Sequence, residues 1–333
     1  MTATLRESGD LRATRVVATL DQPFEERVSL VYVATFALAW RELARHLGHP
    51  ITLAPPAPLA ETLRGIDLPD ATFDPASMVA RAGVGPAFLA ALREEVERRF
   101  GRADGLPERL APSTVLAYAI LERTLLFATP FERSPSPLRV EDAEVEAFGC
   151  SPATPPALAR ALAPQITVHA HDGPGDFVVE LTTRDPEDVL VLARARQPGD
   201  LRQVAMRAVA AAARAPSILA RVTGRTRFAA EDTLLVPLVD LHVRRRFTEV
   251  EGHQVAGHDL VIERAEQLVR LRLDETGATV RSSAVLEVPR GGPPRGRQLV
   301  FHPPFLLALA RRGAAEPYAA AWIAGPELLV PRP

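Results

Sequence analysis

The 333-residue sequence contains no lysine and no asparagine. Its 39 lysine and arginine positions are therefore all arginine. A coding bias toward GC-rich codons accounts for both absences. Schiff-base catalysis, attachment of pyridoxal phosphate and phosphate binding by a P-loop lysine each need a side-chain amine. The composition therefore excludes these three chemistries.

Cysteine and net charge are also scarce. Cys150 is the only cysteine, which excludes an intrachain disulfide and a cysteine-based zinc site. A formal net charge of -2 favours neither nucleic acid nor an anionic membrane surface as a partner. The apolar run VSLVYVATFALAW is shorter than the roughly 20 residues of a membrane span, and the first residues lack the apolar core of a signal peptide. We therefore expect a cytoplasmic protein.

The order of the periodic segments predicts an α+β fold. Helical patterns cover residues 30–47 and 85–101, whereas residues 113–128 suit either a helix or a buried strand. After residue 165, short β-like runs follow one another, interrupted by an alanine-rich helix at 201–215. Without βαβ alternation, mixed or antiparallel sheets are expected. We predict a single domain over 1–333, mainly helical in 1–110 and mainly sheet in 111–333.

A strand that continues into a loop is the most informative feature of the C-terminal third. In QLVRLRLD, Val269, Leu271 and Leu273 share one face, which is typical of a half-buried strand. Gly277 ends this pattern, and small residues follow in ATVRSSA. From Pro289, the run PRGGPPRGR has too much proline and glycine for the interior of a sheet, so an exposed loop is expected at about 285–297.

This order of segments resembles the C-terminal part of the serpins. The matching pieces are a buried strand, the hinge DETG, the small-residue stretch, the exposed loop VLEVPRGGPPRG and the closing segment FHPPFLLALARRGAAEPYAAAWIAGPELLVP. The segment LLFATPFERS resembles a central-sheet strand of the family that ends in Phe. The resemblance covers roughly the last hundred residues. It implies a serpin-like fold with a reactive-type loop.

The resemblance also implies how the loop works. In inhibitory serpins the cut loop inserts as a new strand into the main sheet and carries the covalently bound protease with it. The implied hinge residues are Glu275, Gly277, Ala278, Val280, Arg281 and Ser282, and the implied scissile region is Arg290 and Gly291. On insertion, Ala278, Val280 and Ser282 would face the core, and Thr279, Arg281 and Ser283 would face outward.

Two departures from the family favour a non-inhibitory member. Val280 and Arg281 stand where a run of alanines is usual, and a β-branched residue followed by a long charged one should slow insertion. The family's Asn and Trp near the top of the central sheet are missing, since Trp40 and Trp322 lie elsewhere in the sequence. We therefore expect a protein that acts through protein contacts, with neither catalysis nor a cofactor.

Three alternatives stay open at this stage. An inhibitory serpin would trap a trypsin-like serine protease that cleaves near Arg290. A metal-binding or enzymatic protein would use His169 and His171, which a regular strand would place on one face, although two such histidines are more often solvent-facing. An ordinary long hairpin connection would explain residues 274–296 without any loop insertion.

Overall fold

The computed structural model describes residues 4–103, 105–196, 199–214, 226–278 and 296–332. Five α-helices lie in these ranges, namely α1 (Thr35–Leu47), α2 (Pro58–Arg64), α3 (Gly85–Phe100), α4 (Pro156–Leu162) and α5 (Leu201–Ala213).

The strands of the described ranges fall into two groups along the chain. Those before α4 are β1 (Arg6–Glu7), β2 (Thr14–Val17), β3 (Ser29–Val33), β4 (Leu53–Ala54), β5 (Met78–Val84), β6 (Val115–Leu121), β7 (Leu125–Leu126), β8 (Glu132–Arg133), β9 (Leu138–Val140), β10 (Ala143–Val145) and β11 (Ala147–Cys150). Those after it are β12 (Ile166–His171), β13 (Phe177–Leu181), β14 (Asp188–Arg194), β15 (Thr233–Pro237), β16 (Val239–Arg246), β17 (Gln254–Val255), β18 (Glu266–Leu273), β19 (Gly277–Ala278), β20 (Gln298–Val300), β21 (Phe305–Arg311) and β22 (Ala319–Ile323).

A seven-stranded sheet in the order β12-β13-β14-β21-β22-β3-β2 forms the centre of the core. Its pairs are antiparallel except for the parallel pair of β2 and β3. β13 and β22 are buried along their whole length, which suits their apolar sequences FVVEL and AAAWI. Helix α5 packs across this sheet through Leu201, Val204, Ala205 and Ala208. Its first turn is capped by the Asp200 side chain, which accepts a hydrogen bond from the Gln203 N–H.

A four-stranded sheet has the order β20-β15-β11-β8. Strand β11 is antiparallel to both β15 and β8, whereas β15 and β20 are parallel. Gly149 allows β11 to approach β15 closely, because a Cβ at this position would lie 1.9 Å from the Leu234 carbonyl oxygen. This sheet lies beside the candidate site described below, since β20 starts where the loop returns and β8 carries Arg133.

A third group of strands is divided into two parts. One part has the order β1-β16-β18, with β16 and β18 antiparallel from Val239↔Leu273 to Arg246↔Glu266. The other is the antiparallel pair of β5 and β6. Helix α1 packs against β5, β6 and β18, so it lies against both parts. It ends at Gly48, whose left-handed backbone (φ 79°) closes its last turn.

The predicted α+β class with mixed and antiparallel sheets is confirmed. The first 110 residues, predicted to be mainly helical, hold the helices α1, α2 and α3 but also the strands β1 to β5. The helix predicted over 30–47 begins only at Thr35, because Ser29–Val33 is the strand β3. The ambiguous segment 113–128 holds the strands β6 and β7. In both places the sequence is rich in β-branched or aromatic residues, which suit a buried sheet. Among the described residues, no helix is long and apolar enough to span a membrane.

Candidate functional site

The hinge predicted at the end of the buried strand is a tight turn. Strand β18 ends at Leu273, and the chain reverses so that the Asp274 N–H donates to the Gly277 carbonyl at 2.9 Å and the Gly277 N–H donates back to Asp274 at 3.2 Å. The Asp274 side chain closes the turn by accepting from the N–H and the hydroxyl of Thr276, at 2.9 and 2.6 Å. Asp274 is buried at 1% exposure, and its other carboxylate oxygen lies 3.0 Å from Arg272 Nε.

After the turn, the two residues of β19 lie between the end of β18 and the strand β7. Gly277 pairs with Leu126 and Ala278 pairs with Leu125 in antiparallel register. Because β19 is antiparallel to β7 and also to the end of β18, these two strands run parallel to each other. At a spacing of about 4.8 Å per strand, they lie about 10 Å apart with β19 between them.

Beyond β19, one edge of β18 has no neighbouring strand among the described residues. In the part of the chain that the structure describes, β18 pairs with β16 along one edge and with no strand along the other edge over Glu266–Leu273. Over the same ranges β6 pairs only with β5. The strand groups β1-β16-β18 and β5-β6 are therefore connected through β19, which pairs with β7, the strand that follows β6 in the chain. Among the described residues, the second edge of β18 has no partner strand over Glu266–Leu273 and could accept one.

Glu275 is the predicted hinge residue with the most specific environment. Its side chain is 8% exposed, and Glu275 Oε1 lies 2.9 Å from Arg133 Nε on β8. The same guanidinium contacts Glu146, with Nη1 2.6 Å from Oε2. The Glu275 carbonyl also accepts from the Phe131 N–H at 2.8 Å. Side chain and backbone thus anchor the hinge to the segment that leads into the four-stranded sheet.

Three phenylalanines form the apolar base beneath the turn. The rings of Phe127, Phe131 and Phe148 are each at most 3% exposed, with centroids 5.0 to 6.1 Å apart. The Phe127 N–H donates to the Thr276 carbonyl at 3.0 Å, which holds the turn on this cluster. Neither tryptophan is in this cluster, since Trp40 belongs to α1 and Trp322 to β22.

The chain returns from the loop at Gly296 and is anchored at Arg297. The Arg297 N–H donates to Asp232 Oδ1 at 2.8 Å, and Arg297 Nη2 lies 2.6 Å from Asp232 Oδ2. Burial alone would raise the pKa of Asp232, but its hydrogen bonds with Arg297 and Ala229 hold that pKa below its ordinary value. Both ends of the loop are therefore fixed by an arginine–carboxylate pair, Arg133–Glu275 at the start and Arg297–Asp232 at the return.

The structure brings together three of the predicted site residues, Glu275, Gly277 and Ala278. The remaining ones, Val280, Arg281, Ser282, Arg290 and Gly291, lie outside the described residues. The segment LLFATPFERS, singled out for its resemblance to a central-sheet strand, contains Phe127, Phe131 and Arg133, but the sequence indicated no role in the hinge for Arg133 or for the phenylalanine cluster. Their part in the hinge depends on contacts between segments far apart in the chain, and a single arginine among 39 basic residues carries no local signal.

The two histidines of the alternative metal or enzyme hypothesis have different surroundings. The register of β12 against β13 shifts between Val168 and Ala170, so His169 lies at an irregularity in the strand. Its Nε2 is 2.7 Å from Glu180 Oε2, and its side chain is 8% exposed. His171 packs against Phe177, with ring centroids 6.1 Å apart. The expectation that these histidines face solvent is therefore wrong for His169, because Glu180 holds it inside.

Glu180 is further held by Arg312, whose Nη2 donates to Oε1 at 2.7 Å. Burial would raise the pKa of Glu180, but the hydrogen bonds from His169 and Arg312 lower it below its usual value. In the described ranges, no group of three or more His, Cys, Asp or Glu side chains is arranged to hold a metal ion. His169 thus belongs to a hydrogen-bonded trio with Glu180 and Arg312, which links β12, β13 and the residue that follows β21.

No family model matches the chain, and no curated protein matches its sequence significantly. Among solved structures, human thyroxine-binding globulin is similar over 86% of this chain and 95% of its own, with 13% identity and a TM-score of 0.42. Human glycosylated kallistatin is similar over 88% of this chain and 90% of its own, with 12% identity and a TM-score of 0.42. A serpin from Schistosoma mansoni is similar over 71% of this chain and 63% of its own, with 14% identity and a TM-score of 0.39.

These similar structures are serpins, the family that the C-terminal motifs of the sequence resemble. The hinge of this chain is described by its own geometry, in which β19 lies between β7 and the end of β18. Among the described residues, β18 has no partner strand on its second edge.

The pair of Arg133 and Glu275 gives a first testable prediction. Arg133→Met keeps an apolar stem but leaves the Glu275 carboxylate buried without its cation. We expect the free energy of unfolding to fall by about 2 kcal/mol, less than for a fully buried pair because a quarter of the Arg133 side chain is exposed. Urea unfolding followed by circular dichroism measures this loss.

Glu275→Gln provides the matched control for this prediction. If the ion pair is responsible, Arg133→Met should cost much less in the Glu275→Gln background than in the wild type, and the double-mutant cycle gives the coupling. Equal costs in both backgrounds would mean that Arg133 stabilises the protein through Glu146 and not through the hinge.

Proposed function

We propose that this chain is a serpin-like protein, folded as one domain, that acts through protein–protein contacts of its exposed loop and does not trap proteases. The observation that carries the proposal is the strand β19, which pairs antiparallel with β7 and with Asp274, beside an edge of β18 that has no partner strand among the described residues. This arrangement favours a loop that starts at the sheet, as in the serpins, over an ordinary hairpin connection.

The pairing of Asp274 with Gly277 sets the register that further insertion would follow. Continued along β18, this register would place Val280 opposite Leu271 and Arg281 opposite Arg270. Leu271 is buried and Arg270 is exposed, so Arg281 would face outward beside Arg270. Like charges directly opposite each other destabilise a strand pair. Insertion would therefore meet an electrostatic obstacle within its first few residues.

A loop that does not insert cannot carry a bound protease across the sheet. Its remaining function would be to bind another protein. We propose that the partner is a protein, with a protease as one candidate, and that catalysis by the chain itself is not needed. A cytoplasmic location stays a prediction from the sequence.

The second candidate function is inhibition of a trypsin-like serine protease cleaving near Arg290. The edge of β18 that lacks a partner strand in the described part of the chain favours it, because an inserting strand needs such an acceptor. The two functions make opposite predictions about the fate of the protease, so a single experiment separates them.

That experiment is incubation with trypsin-like proteases at equimolar ratio, followed by denaturing gel electrophoresis. We expect a single early cut after Arg290 or Arg295, because cleavage in the folded body would first require local unfolding. The protease should be released in full and stay active. The double variant Arg290→Ala, Arg295→Ala is the control and should lose this early cut.

A covalent complex that survives the denaturing gel would refute the non-inhibitory proposal and establish the second candidate. If instead the loop resisted cleavage while the rest of the chain was cut, the loop would not be exposed and the serpin-like reading itself would fail.

A further inference from the structure

Two histidines from distant parts of the chain meet at one corner of the molecule. His49 follows the end of α1, and His258 lies in the turn after β17. Their Nε2 atoms are 2.6 Å apart, and their ring centroids are 4.8 Å apart with planes inclined by 27°. The centroid distance exceeds the nitrogen distance by about two ring radii, so the two nitrogens point at each other along the line that joins the rings.

The tautomer of His49 is fixed by the backbone. Its Nδ1 lies 2.9 Å from the Pro50 carbonyl oxygen, and because a carbonyl only accepts, the proton of neutral His49 is on Nδ1. The Nε2 atom that faces His258 therefore carries a lone pair. A ring whose Nδ1–H is held by a backbone carbonyl is the usual arrangement of a histidine that binds a metal through Nε2.

The two side chains project from backbones that are tied together. Strand β4 pairs with β17, Leu53 opposite Val255, and the Ala256 N–H donates to the Thr52 carbonyl at 2.8 Å. The histidines that flank this small sheet are exposed or half-buried, so their rings can adjust without disturbing the core.

We propose that His49 and His258 form a surface site for a first-row transition-metal ion, such as Zn²⁺, with water completing its coordination. Tetrahedral zinc with bonds of about 2.0 to 2.1 Å to nitrogen needs the two Nε2 atoms about 3.3 Å apart. Opening the pair from 2.6 Å requires only a small rotation of exposed rings. The described residues provide no third His, Cys, Asp or Glu ligand in a common group, so the protein contributes two ligands.

The ligand set also predicts which ions bind. Imidazole nitrogens suit Cu²⁺, Ni²⁺, Co²⁺ and Zn²⁺, whereas Mg²⁺ and Ca²⁺ prefer oxygen ligands. A bound ion would add a link between the end of α1 and the β17 turn, two segments that are far apart in the sequence and are held together by the pairing of β4 with β17. It would therefore stabilise the folded state in proportion to its occupancy.

The experiment is a titration of metal-free protein with ZnCl₂, followed by calorimetry and by thermal unfolding. We expect saturation at one ion per chain and a rise in Tm of about 3 °C at saturation. His49→Ala and His258→Ala should each weaken binding by on the order of tenfold or more. MgCl₂ should give no shift.

His46→Ala is the matched control, because His46 is an exposed histidine in the last turn of α1 and belongs to no group of possible ligands with the pair. It should bind zinc like the wild type. Wild-type affinity in either His49→Ala or His258→Ala, or an equal shift with Mg²⁺, would overturn the proposal. Circular dichroism and Tm of the metal-free variants show that they are folded, and His49→Gln and His258→Gln repeat the test if an alanine variant is not.

Discussion

Gly277→Ala is expected to destabilise the protein by about 3 kcal/mol, through backbone strain and through a clash inside the hinge. Gly277 has a φ of 129°, which L side chains rarely adopt. A Cβ there would lie 2.2 Å from the Leu125 carbonyl oxygen and 2.8 Å from the Leu126 Cα. Because these are backbone atoms, β19 can only yield by separating from β7.

Gly313→Ala distinguishes the clash from the strain. Gly313 also has a positive φ, 83°, but a Cβ there would meet nothing within 4 Å. We expect it to cost about 1 kcal/mol from the backbone alone. Urea unfolding of the two variants gives the comparison, and limited trypsin digestion should show faster cutting of the loop in Gly277→Ala only. Equal costs at the two glycines would mean that the pairing of β19 with β7 contributes nothing to stability.

The hinge could be located from the sequence because its signals are local. The alternation in QLVRLRL predicted which face of residues 266–273 is buried, and the structure confirms it, with Val269, Leu271 and Leu273 inside. Gly277 ended that pattern, and it is where the backbone takes a conformation suited to glycine.

The contacts that hold the hinge could not be predicted in the same way. The pairing of Glu275 with Arg133, and the packing of Phe127 against Phe148, join segments whose proximity is set by the topology of the sheets. Phenylalanine suits any buried strand, so the sequence does not show that Phe127, Phe131 and Phe148 pack together at the hinge.

The helix predicted over residues 30–47 shows a different limit. From Leu30 to Trp40 every residue except Thr35 is apolar, and such a run fits a buried strand as well as a buried helix. Pairing with neighbouring strands decides between a strand and a helix, since β3 lies between β2 and β22 in the seven-stranded sheet. The same holds for β6, whose residues fit a strand or a helix and which forms a strand by pairing with β5.

Cleavage of the loop should leave the thermal stability of the wild-type protein almost unchanged, with a shift in Tm below about 3 °C. An inserted strand would add a ladder of hydrogen bonds and buried apolar area along β18, and a gain of several kcal/mol would raise the Tm by about 10 °C or more. We expect no such rise, because Val280 and Arg281 should slow the first steps of insertion, and Arg281 would in addition lie opposite Arg270. Differential scanning calorimetry of intact and cleaved protein measures the shift.

Arg281→Ala and Arg270→Ala test the reason given for that result, since each removes one member of the opposed pair. Arg270 lies on the exposed face of β18, so its loss should leave the intact protein nearly as stable as the wild type. If the opposition of the two arginines blocks insertion, the cleaved form of either variant should gain Tm. A large rise in the cleaved wild type would refute the non-inhibitory proposal. If neither cleaved variant gains Tm, the obstacle lies elsewhere, and Val280, which would face Leu271 on the buried side, is the next position to replace by alanine.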